Sequence, residues 1–132
     1  MSTILVVDDK PQIQQLYRAM LRRGGYEVVG ASNGLEALRA MENHFPDLVL
    51  LDMAMPEMDG VAFLQIVRQT PEWASVPVIL ITAFATEAKV ELAHSLGAVD
   101  HFVKADFSVK ELRRRIELHL AQRRAQGARV VA

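Results

Sequence analysis

Four short apolar runs punctuate the chain: Ile4-Leu5-Val6-Val7, Leu48-Val49-Leu50-Leu51, Val78-Ile79-Leu80-Ile81, and Phe102-Val103 preceded by Ala98-Val99. Nearly continuous apolar runs of this length suit strands buried on both faces of a sheet. Val28-Val29 after Tyr26 is β-branched but less apolar, and predicts a fifth strand at a sheet edge. Between the runs the period becomes helical. Ile13, Leu16, Tyr17, Met20 and Leu21 fall at i, i+3, i+4, i+7 and i+8, one face of an amphipathic helix. Asn33 followed by Glu36 resembles a capping box, opening a second helix through Leu35, Leu38 and Met41 that stops before Pro46. Asp59 caps a third helix carrying Phe63, Ile66 and Val67, and Thr86 a fourth with Val90, Ala93 and Leu96 that ends at Gly97. Ser108 starts a fifth, striped by Val109, Leu112, Ile116 and Leu120.

Strict alternation of strand and helix implies a parallel sheet, because parallel neighbours need crossover connections that place helices on both faces. The expected architecture is a doubly wound α/β fold with five strands and five helices. A chain of 132 residues fits one domain. Its expected extent is residues 1–124, with 125–132 as a flexible C-terminal tail.

Composition narrows the function classes. A net charge of -1 with 51% apolar residues argues against disorder and against a surface that seeks nucleic acid. Residues 108–132 are basic, with Lys110, Arg113, Arg114, Arg115, Arg123, Arg124 and Arg129 against Glu111 and Glu117; this reads as a solvated helix face rather than a nucleic-acid arm. The absence of cysteine excludes disulfides and thiolate metal sites, and the four histidines are far apart with no ligand-like spacing. No secretory leader or membrane-length apolar segment is visible, so the expected location is the cytoplasm, without membrane insertion.

In open parallel sheets ligands bind beyond the carboxyl ends of the strands, where strand order reverses. The first run ends in Asp8-Asp9, the third in Asp52, the fourth in Thr82 and the last in Lys104, so four strands send polar groups to one rim. Carboxylates gathered about 5 Å apart repel by roughly 3 kcal/mol per pair at an effective dielectric near 20, before solvent screening. A hard divalent cation compensates such an all-oxygen site, Mg²⁺ before Ca²⁺ given so few protein ligands. Lys104 and Thr82 suit phosphoryl oxygens, the one as a compact cation and the other as a hydroxyl donor. No Gly-rich phosphate loop or dinucleotide fingerprint is present. A carboxylate can itself attack phosphorus, and Asp52, ending a central strand, is the candidate acceptor.

With Val6-Val7-Asp8-Asp9, Leu50-Leu51-Asp52-Met53-Ala54-Met55-Pro56 followed by Met58-Asp59-Gly60, Ile81-Thr82-Ala83, and Gly97-Ala98 leading to Lys104, the chain resembles the receiver domain of bacterial response regulators over residues 3 to about 122. Its length is similar to that of the single-domain chemotaxis type. The resemblance implies a flavodoxin-like sheet of order 2-1-3-4-5. It also implies phosphoryl transfer to Asp52 from a sensor histidine kinase or histidine phosphotransfer protein, and Mg²⁺ held directly by Asp9 and Asp52, mainly through water by Asp8, and by the Ala54 backbone carbonyl. Thr82 and Lys104 would hold phosphoryl oxygens. Thr82 would move inward on phosphorylation, and a face of the fourth helix, fifth strand and fifth helix would engage an unknown downstream protein.

Three departures from the family pattern stand out. Lys104 is followed by Ala105 rather than by a cis proline, with one residue more before the last helix, and a cis bond to a non-proline residue would cost about 3 kcal/mol. The switch position three residues before Lys104, commonly aromatic, is His101, which reads equally as a half-exposed edge-strand residue. The positions that tune dephosphorylation are Ala54 and Phe84; neither can act as a base, so slow loss of the phosphoryl group is expected. The alternative reading is a pseudo-receiver that binds partners without phosphorylation. A metal-dependent phosphatase is disfavoured because Ala54 stands where it would need a second acid, and FMN binding because the first loop is acidic.

Overall fold

The computed structural model describes residues 2–52, 60–82, 87–103 and 108–131. In chain order the elements are β1 (Thr3–Val7), α1 (Pro11–Arg23), β2 (Glu27–Ala31), α2 (Gly34–His44), β3 (Leu48–Asp52), α3 (Gly60–Gln69), β4 (Val78–Thr82), α4 (Glu87–Ser95), β5 (Asp100–Val103) and α5 (Val109–Val131). All four strand pairings are parallel and the order is β2-β1-β3-β4-β5, the doubly wound α/β arrangement.

Alternation of side chains along the strands divides the core into two layers. Leu5, Val7, Val49, Leu51, Val78 and Leu80 face Ala37 and Met41 of α2, Phe63 and Val67 of α3, and Ala93 of α4. Ile4, Val6, Leu48, Leu50, Ile79 and Ile81 face Tyr17 and Leu21 of α1 and Leu112, Ile116 and Leu120 of α5. β3 and β4 are buried at every position because both sheet faces are covered, which explains their unbroken apolar sequence. β5 is the sheet's far edge, and its residues are half-buried or exposed rather than buried as the Phe102-Val103 run suggests.

The helix ends show which local signals operate. Asn33 Oδ1 accepts from the Glu36 amide at 2.9 Å, while Glu36 Oε2 accepts from the Ser32 amide at 3.3 Å, so the capping box closes one residue early. Ser108 Oγ accepts from the Glu111 amide at 3.1 Å. Gly25 (φ 89°) and Gly97 (φ 86°) end α1 and α4 in the left-handed region, each closed by a pair of backbone bonds: Tyr26 to Leu21 and Gly25 to Arg22, and Ala98 to Ala93 and Gly97 to His94.

Several expectations need correction. Leu16 and Leu35 are exposed, since each lies at the margin of its helix's apolar stripe and the layer is filled without them. Ala98 and Val99 precede β5, the Ala98 amide being used to close α4. α5 runs to Val131, Ala121 to Gln126 being good helix formers and one glycine opposing helix by only about 1 kcal/mol. The expected caps Asp59 and Thr86 lie outside the described residues.

Arg68, a half-buried residue of α3, was not anticipated. Its guanidinium donates to the carbonyls of Leu96 (3.0 Å), Gly97 (3.0 Å), Ala74 (2.9 Å) and Val76 (2.9 Å), tying the end of α4 to the segment entering β4. Burial pushes its pKa down from the usual arginine value, because desolvation disfavours the charged form. Hydrogen bonds from charged donors contribute about 1.5–3 kcal/mol each, and unpaired carbonyls add a penalty. Arg68→Ala is therefore expected to lower the urea unfolding free energy by about 3 kcal/mol. Arg68→Lys should recover less than half of that, since one ammonium cannot span four carbonyls.

Candidate functional site

The strand order places the site. From β1 the chain leaves toward β2, and from β3 toward β4, so the loops part above β1 and β3 and leave a crevice there. Register then decides what enters it. Val7 pairs with Leu51 and Asp52 with Ile81, which sets Asp8 beside Asp52 and Thr82 one residue beyond its neighbour on β3. Asp8, Asp9 and Asp52 each offer a carboxylate oxygen, and these three atoms lie within 4.8 Å of one another. Asp8, Asp52 and Thr82 are only 2%, 5% and 7% exposed, while Asp9 is half-buried.

The local chain is arranged to hold these groups. Asp8 Oδ1 accepts from the Lys10 amide at 2.9 Å, an Asx turn that swings the chain from β1 into α1. No side chain caps α1; Pro11 begins it, a position where a missing amide hydrogen costs nothing. Gln14 spans the crevice wall, its Nε2 donating to the Asp8 carbonyl (2.7 Å), the Ala31 carbonyl (3.0 Å) and Ser32 Oγ (3.1 Å). Gln14 thus links the acidic loop to the end of β2, a role that sequence reasoning missed because a glutamine beside an apolar stripe has no distinctive signal.

Tyr17 is a second unanticipated neighbour. Its phenol is pushed up to about 12, first by burial and then by the negative charges of Asp8 and Asp52. Sequence reasoning used Tyr17 only as a core residue. Its position beneath the acids follows from the α1 stripe packing under β1 and β3.

Of the expected site residues, the structure brings together Asp8, Asp9 and Asp52, with Thr82 on the adjoining strand end. Ala54, Phe84 and Lys104, with the Lys104–Ala105 peptide, lie outside the described residues. His101 is exposed on β5 with its ring against His94 of α4. The donor set at the rim is all oxygen and mostly withdrawn from water, the chemistry that a hard divalent cation such as Mg²⁺ satisfies.

A doubly wound sheet with clustered carboxylates at its β1–β3 crevice defines a flavodoxin-like domain with an acidic rim. Residues 4–117 match the model of the response regulator receiver domain, and the chain belongs to that family. It is 37% identical over 117 residues to sporulation initiation phosphotransferase F of Bacillus subtilis, covering 89% of this chain and 92% of that protein. It is 42% identical over 113 residues to the probable transcriptional regulator ycf27 of Pyropia yezoensis, covering 86% of this chain but only 45% of that one, so it spans less than half the length of such regulators. Among solved structures, chemotaxis protein CheY4 of Vibrio cholerae superimposes with a TM-score of 0.83 at 30% identity, covering 89% of this chain and 97% of the other. A CheY-like receiver domain protein of Methanospirillum hungatei gives 0.89 at 26% identity, covering 96% and 98%. Receiver domains are phosphoacceptor signalling domains that bind Mg²⁺ at an acidic aspartate cluster and receive phosphoryl groups from histidine kinases. They are generally not enzymes. Among the described residues, no helix is long and apolar enough to cross a membrane.

Carboxylates this close repel, by about 3 kcal/mol per pair before screening. Asp9→Asn, at the most exposed of the three, is therefore expected to raise the unfolding free energy in metal-free buffer by about 1 kcal/mol once screening is counted, seen as a higher urea midpoint. Tyr17 reports on the same field. With Tyr26→Phe leaving it as the one tyrosine, its absorbance titration is expected near pH 12 and should move down in Asp52→Asn. Because the fold holds the phenol protonated, its stabilisation is complete below pH 10 and is lost as pH rises from about 10 to about 12.

Proposed function

We propose that this receiver domain is a phosphorylation switch whose acceptor is Asp52. A Mg²⁺ ion would be held by Asp9, Asp52 and the Ala54 backbone carbonyl, and through water by Asp8. The observation that carries this reading is the meeting of three carboxylates from two strands within 4.8 Å at the sheet's topological crevice. Asp52 is the acceptor because it ends the central strand β3; like Asp8 it is almost wholly withdrawn from water, where a carboxylate is a better nucleophile than a hydrated one.

In the proposed step an Asp52 carboxylate oxygen forms a bond to phosphorus as the phosphorus–nitrogen bond of a phosphohistidine breaks. The electron pair of that bond returns to the imidazole, which takes a proton from solvent, and Asp52 is left as an acyl phosphate. When bound, Mg²⁺ supplies positive charge against the carboxylates and the phosphoryl oxygens. Thr82, at the end of β4, is placed to donate its hydroxyl to a phosphoryl oxygen, and Lys104 supplies a cation for another. Phosphorylation makes Asp52 more negative and adds acceptor oxygens, which draws Thr82 inward and changes the face of α4, β5 and α5 toward a downstream protein. The phosphodonor is a sensor histidine kinase or a histidine phosphotransfer protein. His101 takes the switch position on β5. We place the protein in the cytoplasm, acting without contact to nucleic acid.

Incubation with a small phosphodonor tests the reading by intact mass. One phosphoryl group is expected on the wild type with Mg²⁺, none with chelator, and none on Asp52→Asn. Phosphorylation of Asp52→Asn, or a wild type that stays unmodified with Mg²⁺ present, would favour the pseudo-receiver reading or another acceptor. Because neither Ala54 nor Phe84 can activate a water, the modified protein is expected to persist well beyond seconds after the donor is removed; decay within seconds would contradict the assignment of those positions.

A further inference from the structure

The imidazoles of His94 and His101 meet on the edge of the domain away from the acidic crevice. His94 lies in the last turn of α4 and His101 on β5; their Nε2 and Nδ1 atoms are 3.0 Å apart and their rings stand edge to face, with centroids 5.2 Å apart. Both residues are exposed.

The proton positions follow from the partners. His94 Nδ1 lies 3.0 Å from the Ala98 carbonyl oxygen, which can only accept, so Nδ1 carries the hydrogen and a neutral His94 presents the Nε2 lone pair outward. This is the arrangement of a metal-ligating histidine, in which the far nitrogen donates to a carbonyl and the near one is held in the ligating tautomer. In the ion-free chain the His101 Nδ1–H donates to that lone pair; with its proton carried on Nε2 instead, as exposure of the ring allows, His101 Nδ1 becomes the second donor. With metal–nitrogen bonds of about 2.0–2.1 Å, two ligands are about 2.9 Å apart at a right angle and about 3.3 Å apart in a tetrahedron, which brackets the distance found. The C-terminal end of α4 adds the negative pole of its dipole to the same spot. Asp100 does not compete for this role. Its Oδ2 accepts from Arg115 and pairs with His119, and its Oδ1 accepts from the His101 amide.

We propose that His94 and His101 form a second metal site across the α4–β5 edge, for a nitrogen-seeking divalent ion such as Zn²⁺ or Cu²⁺, with water in the remaining positions. Two neutral imidazoles discriminate against Mg²⁺, which prefers oxygen ligands, so the two sites are chemically separate. An ion there would pin α4 to β5, two of the three elements whose face the proposed switch alters. Binding of the ion does not require phosphorylation of Asp52.

Untagged protein at neutral pH, titrated with Zn²⁺ and separately with Cu²⁺, tests this by calorimetry, with histidine ring proton resonances as a second readout. With excess Mg²⁺ present to occupy the acidic crevice, one Zn²⁺ or Cu²⁺ per chain is expected, shifting the His94 and His101 resonances first, and this binding is preserved in Asp52→Asn. His94→Gln and His101→Gln, both exposed and checked for fold by circular dichroism, should each weaken binding by roughly tenfold or more. His44→Gln and His119→Gln should leave it unchanged. Wild-type affinity in both His94→Gln and His101→Gln, competition by Mg²⁺, or loss of binding in His44→Gln or His119→Gln would overturn the proposal.

Discussion

Mutual repulsion of three carboxylates at the β1–β3 crevice is the constraint around which the rest of this domain is arranged. Each pair opposes folding by an amount comparable to a fair share of a small domain's net stability. The acids stay together because β1, β3 and β4 form a continuous parallel ladder whose buried, two-sided packing contributes far more than the repulsion removes. A rigid scaffold therefore holds the three carboxylates together despite their mutual repulsion.

The same tension organises the surroundings. The Lys10 amide donates to the Asp8 carboxylate and the Gln14 amide group to the Asp8 carbonyl, holding the acidic loop in place. Tyr17, below, adds a buried phenol that the acids keep protonated. Farther off, Arg68 fixes the C-terminal end of α4 through carbonyls contributed by two separate segments, and Gly97 is needed there both for its left-handed backbone and for space. A side chain at Gly97 would press its Cβ to 2.7 Å from Arg68 Nε. The end of α4 is thus anchored on one side by Arg68 and carries the His94–His101 contact on the other.

Membership of the receiver family and the acidic crevice rest on different observations, and their agreement gives the phosphorylation reading its weight. Residues 4–117 match the family, and the carboxylate cluster emerges independently from sheet order and register. The relatives differ in what surrounds the receiver. Most of the sporulation phosphotransferase is covered by this chain, whereas less than half of the transcriptional regulator is, so the part shared with both is the receiver domain.

The amino-acid order alone determined the number and sequence of strands and helices, the interior runs, the caps at Asn33 and Ser108, the stop at Gly97, and the acids at strand ends, because these are local: period, turn chemistry and capping act within a few residues. It also marked Asp8, Asp9, Asp52 and Thr82, since a parallel sheet must send its strand ends to one rim. Tertiary structure decided what depends on neighbours remote in the chain. Leu16 and Leu35 are exposed because the facing layer was already filled. Arg68 is recognisable as a clamp only once four carbonyls from separate turns surround it. The histidines, which have no ligand-like spacing in the chain, become a pair because the turn at Gly97 folds β5 back along α4. Such contacts arise where two elements pack, and no periodicity along a single element encodes them.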